Sequence, residues 1–131
     1  VTVEGLPSEV TRAAELALER KAEDVVVLDL RGINSATDFF VLATGKSDVQ
    51  VKAIAEHVRD ELRGAGVRAD HVEGLDTGRW VLMDFIDFVV HVFHPESRSF
   101  YQLEALWGDA PRIEFEDEPG PGPLPRGLGS E

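Results

Sequence analysis

Between Arg79 and Pro111 the chain reads RWVLMDFIDFVVHVFHPESRSFYQLEALWGDAP, and no other stretch restricts the fold as much. WVLMDF and FVVHVF are short runs of apolar, β-favouring residues, and the segment Asp84 to Asp87 between them reads as a hairpin connection. The second run stops at His94-Pro95. Proline has no N–H to give to a sheet ladder but suits the first turn of a helix, and Glu96 favours the positive helix end. Phe100, Leu103, Leu106 and Trp107 then recur at helical spacing, Arg98, Gln102 and Glu104 fall elsewhere around the helix, and Gly108 supplies a stop. A strand, strand, helix unit is expected.

The rest of the chain continues this alternation. Pro7-Ser8 introduces a helix in which Val10, Ala13, Ala14, Ala17 and Leu18 share a face. Val25 to Leu30, VVVLDL, is almost continuously apolar, which places it as a central strand covered on both faces. Phe39 to Thr44 has the same character, and the polar RGINSATD between the two suits a hairpin. Ser47 and Gln50 form a Ser-x-x-Gln capping pattern ahead of a helix whose face is Val51, Ile54, Ala55, Val58 and Leu62. Arg59, Arg63, Gly64 and Gly66 mark its end, and a further strand is expected near Val67 to Glu73. The sum is a single α/β domain over residues 1–112, a mixed sheet of about five strands packed with helices. From Ile113 onward acid, Pro and Gly dominate, so 113–131 reads as a disordered tail, with Ile113 and Phe115 able to add a short edge strand.

At 131 residues there is room for one core. No apolar run approaches the roughly 20 residues of a membrane helix, and the acid-bearing N-terminal stretch does not read as a secretory signal. A cytoplasmic location is expected. Zero cysteines exclude disulfides, thiolate metal sites and cysteine nucleophiles. A net charge of −12 opposes direct binding to a phosphate backbone, because nucleic-acid affinity comes largely from clustered Lys and Arg. The same charge would favour a basic protein partner, or serve solubility alone.

Catalytic constellations are sparse. Gly45-Lys46-Ser47-Asp48 feeds a helix N-terminus that could hold a phosphate, but it lacks the full Walker pattern, and Asp48 in the first turn already satisfies the positive helix end, so simple capping is the favoured reading. No second acid follows Asp48 to make the Asp-x-Asp pair that would hold catalytic magnesium. Asp84 and Asp87 suit capping of the hairpin. His91 and His94 are an odd interval apart and should point to opposite sheet faces, which makes a poor metal pair; Asp87 and His91 could share a face, with no nucleophile beside them. Asp29 and Asp38 suit strand ends. Alternation puts Trp80, Leu82 and Asp84 on one face of their strand and the apolar Val81, Met83 and Phe85 on the other. Trp80 can then anchor a protein partner or lie under a helix.

KAEDVVVLDLRG (Lys21 to Gly32), TDFFVLATGKSDVQVKAIA (Thr37 to Ala55), Glu73-Gly74 and the Arg79 to Pro111 stretch together resemble the Iojap family, whose bacterial members are ribosomal silencing factors. The resemblance spans roughly Leu18 to Pro111. It implies a nucleotidyltransferase-like topology without enzymatic activity or a cofactor. It also implies docking on ribosomal protein fourteen of the large subunit, steric obstruction of small-subunit joining under nutrient limitation, and a homodimer when free. By the same resemblance Trp80 and, in an R-x-x-Y pattern, Arg98 and Tyr101 are partner-binding candidates, and Leu82 and Asp84 join them as the residues that alternation places on Trp80's strand face. The chain departs from the family at Ile86, where a small residue or Gly is usual and a β-branched residue resists positive φ. The alternatives are a nucleotide-dependent transferase using Gly45 to Ser47 and a large-subunit assembly factor.

Overall fold

The computed structural model describes residues 5–33, 36–97 and 110–116. Its elements run α1 (Ser8–Glu19), β1 (Glu23–Asp29), β2 (Phe39–Thr44), α2 (Asp48–Gly64), β3 (His71–Glu73), β4 (Trp80–Asp84), β5 (Phe88–Phe93) and β6 (Arg112–Phe115). Six strands form one sheet in the order β3-β4-β5-β2-β1-β6. β2 and β5 are parallel neighbours at its middle; the other pairs are antiparallel. Every residue of β2 and β5 is buried, as their unbroken apolar runs require of strands covered on both faces.

α1 and α2 pack on one face. Val10, Ala13, Ala14, Leu16 and Ala17 of α1 and Val51, Ile54, Ala55, Val58 and Leu62 of α2 close a core with Val25, Val27, Val41, Val81, Met83, Val90 and Val92. Leu16, rather than the half-buried Leu18, completes the buried stripe of α1. The opposite face carries a second cluster, Val26, Leu28, Leu30, Phe40, Leu42, Val89, Phe93 and Ala110, with Trp80 and Leu82 half-buried against it.

Four expectations change. The sheet has six strands, not about five. The boundary at 112/113 moves outward, because Ile113 to Phe115 pair with Val27 to Val25 along an edge that β1 would otherwise leave open. The remainder of the expected tail, 117–131, lies outside the described residues. β1 is covered on both faces yet ranks next to the edge, with β5 and β2 at the centre. The third strand is only His71–Glu73, since the Val67 N–H still donates to the Leu62 carbonyl to finish the helix (2.8 Å). The helix expected after His94 begins at Pro95; Phe100, Leu103, Leu106 and Trp107 lie outside the described residues.

Candidate partner-docking face

The hairpin of β4 and β5 sets the register on which the candidate face depends. Trp80 lies opposite Phe93, Leu82 opposite His91 and Asp84 opposite Val89. Val81 and Met83 are fully buried toward the helices, so Trp80, Leu82 and Asp84 all face the other way, half-buried. The expected alternation is therefore what the strand shows. β4 is one strand in from β3, an edge strand of three residues, so this half of the sheet face lies close to its rim.

Trp80 is held in an aromatic cluster. Its ring stacks on Phe93 with centroids 5.4 Å apart and the planes inclined by 29°. Its Nε1–H donates to Nδ1 of His91 at 3.1 Å. His91 is only 3% exposed and also meets Phe40 edge-on at 4.6 Å and Phe93 face-on at 5.8 Å. Burial pushes its pKa down from 6.5 to about 4, so the ring is neutral. With Nδ1 accepting, the proton belongs on Nε2, and that buried atom has no hydrogen-bond partner among the described residues. An orphaned buried donor costs about 1–3 kcal/mol. Strand spacing allowed His91 to sit beside Asp87, and the structure separates the two. Asp87 is exposed in the turn, and its carbonyl accepts the Asp38 N–H at 2.9 Å. Counting the hairpin register outward from Ile86-Asp87 would have put His91 on Trp80's face.

The hairpin turn is unusual. The Asp87 N–H donates to the Phe85 carbonyl at 2.9 Å across Ile86, which adopts φ +75°. This is a γ-turn with its central residue in the left-handed region that a β-branched side chain resists. Asp84 stabilises it, Oδ1 accepting the Ile86 N–H at 2.8 Å, and the Phe85 and Phe88 rings stack beneath at 4.8 Å. Asp84 thus caps the turn while sharing Trp80's face.

Gly74 fixes the start of β4 from the other side. At φ +89° it lies so close to the strand that a Cβ would sit 2.0 Å from the Trp80 carbonyl oxygen. Arg79, one residue before Trp80, donates to Glu96 at 2.7 Å and to Asp48 at 3.5 Å, and its carbonyl accepts the His94 N–H. His94 lies past the strand end, where its Nδ1 accepts the Glu96 N–H at 3.3 Å, so it shares no site with His91. Of the remaining partner-binding candidates, Arg98 and Tyr101 lie outside the described residues.

The turn at Gly45 to Asp48 is closed by the chain's own groups. Ser47 Oγ accepts the Gln50 N–H at 3.1 Å, and Gln50 Oε1 accepts the Lys46 N–H. Gln50 Nε2 in turn donates to the Arg20 and Lys21 carbonyls at the end of α1. Lys46 pairs with Glu23 at 3.3 Å. These are capping contacts. Asp29 receives the Arg31 guanidinium on both oxygens at 3.0 and 2.7 Å, which holds its carboxyl below the usual carboxylate range. Asp38 uses its backbone to join β2 to Leu30 and Asp87. Among the described residues no group of three or more His, Asp or Glu is arranged to hold a metal ion, and no helix is long and apolar enough to cross a membrane.

Residues 3–125 match the family model described as RsfS, Ribosomal silencing factor during starvation. A Bacillus subtilis (strain 168) protein named Ribosomal silencing factor RsfS is 45% identical over 104 residues, covering 79% of this chain and 88% of that protein. An X-ray structure of a Chromobacterium violaceum protein is similar with TM-score 0.74 at 37% identity, over 88% of this chain and 97% of that one. A mouse relative named Mitochondrial assembly of ribosomal large subunit protein 1 is 28% identical over 106 residues, covering 79% of this chain and 46% of that protein.

Proposed function

Since this chain belongs to the RsfS family of ribosomal silencing factors, we propose that it binds the free large ribosomal subunit through ribosomal protein fourteen and sterically blocks the small subunit from joining, lowering translation under nutrient limitation. The observation that carries this reading is the β4 face, where Trp80 and Leu82 remain half-exposed although Val81 and Met83, their neighbours along the strand, are fully buried. A rigid aromatic plate next to a sheet rim suits a protein–protein anchor. The net charge of −12 favours a basic protein partner over exposed RNA. Blocking needs no bond-making chemistry: occupancy of the free subunit shifts the joining equilibrium by mass action. The same apolar face suits self-association of the free factor, which would compete with docking.

Sucrose-gradient sedimentation with separated subunits tests the reading. The protein should travel with the large subunit alone and reduce the yield of joined ribosomes. Trp80→Ala should weaken binding by roughly thirtyfold, the loss of one hot-spot residue, while a melting curve shows that the variant remains folded. Binding to neither subunit, or to the small one, would sink it. The mouse relative's name supports a second reading, large-subunit assembly. Depletion of the protein would then accumulate large-subunit precursors, whereas silencing leaves subunit maturation intact and changes only joining.

A further inference from the structure

We propose that His91 is a positioning residue for docking: its Nδ1 accepts the Trp80 indole N–H and fixes the rotation of that ring on the sheet face. The inference rests on Trp80 being the anchor. Stacking on Phe93 sets the tilt of the indole but does not by itself distinguish the two ring orientations related by a flip about the Cβ–Cγ bond. Only one of them points Nε1–H at His91. An anchor that enters its partner's surface in a single orientation loses less freedom on binding, so a hydrogen bond made in the free protein contributes to affinity.

The chemistry of His91 itself supports this assignment. The ring lies among Phe40, Phe93 and Trp80, an aromatic setting in which a phenyl group would bring no polar atom of its own but would take the acceptor from the Trp80 indole N–H. An imidazole there carries a buried Nε2–H with nothing among the described residues to receive it. What imidazole does at this place, and a phenyl ring cannot, is accept the indole proton. The orphaned donor is the by-product of that requirement. Desolvation keeps the ring unprotonated, as the accepting role demands.

The test combines NMR with subunit binding. In the unsubstituted protein the Trp80 indole nitrogen should show a through-hydrogen-bond coupling to His91 Nδ1. His91→Phe should shift the Trp80 indole resonance and weaken large-subunit binding roughly tenfold, with the unfolding midpoint held or raised. His91→Asn, whose amide oxygen falls near the Nδ1 position, should recover binding to within about twofold. Wild-type binding by His91→Phe, alongside impaired binding by Trp80→Ala, would overturn the positioning role alone. Wild-type binding by Trp80→Ala would overturn the docking reading, and the positioning role for docking with it. If His91→Phe does not fold, an absent coupling or a binding-deficient but folded His91→Asn overturns the proposal.

Discussion

Ile86 holds a backbone angle, φ +75°, that its β-branched side chain opposes, and the side chain is 57% exposed, so little burial offsets the strain. Left-handed non-glycine residues cost of order 1–3 kcal/mol, and the extra freedom of glycine in the unfolded chain returns part of that. Ile86→Gly should therefore raise stability by about 1 kcal/mol in urea unfolding; a lower midpoint would show that the turn is not strained. His91 makes a second prediction. Its folded pKa is about 4 against 6.5 in an ordinary setting, so between these values the unfolded chain binds a proton that the folded one refuses. The stability it supports is intact above about pH 6.5 and is lost as pH falls toward 4, by up to about 3 kcal/mol. The stability difference between the native protein and His91→Asn should thus shift in the variant's favour on going from pH 7 to pH 5, and a pH-independent difference would refute it. The importance of His91 was hidden in the sequence because it depends on register. Residues 80 and 91 share a face only if the connection between the strands has an even number of residues, and the residue types there, Ile86 above all, do not fix that number.

At the level of elements, β6 separates what composition reveals from what pairing decides. Ile113 and Phe115 are two apolar residues at the head of an acidic, Pro- and Gly-rich segment, too few to outweigh its composition, yet β1 offers them a free edge. Ending the chain after Pro111 should cost at least about 3 kcal/mol, from the lost burial of Ile113 and Phe115 and of β1 beneath them. It should also produce concentration-dependent self-association through the opened edge. Urea unfolding and light scattering against a chain ending at Glu116 would check both, and equal stability would show that β6 is dispensable. β1, β2 and β5 were legible because burial on both faces demands unbroken apolar runs, and α2 because Ser47, Gln50 and Gly64 mark its ends. The rank of β1 in the sheet was not legible, since an apolar run reports covered faces and not neighbours. β3 was shortened by the last turn of α2, where Val67 remains bonded to Leu62.

For the molecule as a whole, charge decides how a partner is met. A chain of net charge −12 is drawn toward a basic protein and repelled by surrounding RNA, and salt screens both beyond roughly 10 Å at 0.1 M. If a basic ribosomal protein is the target, raising salt from about 50 to about 200 mM should slow association with isolated large subunits several-fold and change dissociation little. Association that quickens with salt would mean that RNA repulsion dominates the approach. The sheet order bears on something else, the sequence of events as the chain is made. β1 is synthesised early, and one of its two neighbours, β2, emerges soon after, whereas its other neighbour, β6, brings Ile113 to Val27 from the far end of the domain. Until that last strand emerges, each nascent copy carries an unsatisfied row of amides and carbonyls along Val25 to Leu28. Crowded translation would expose this edge to neighbouring nascent chains, so the interval between making β1 and making β6 is when this protein is most open to aggregation.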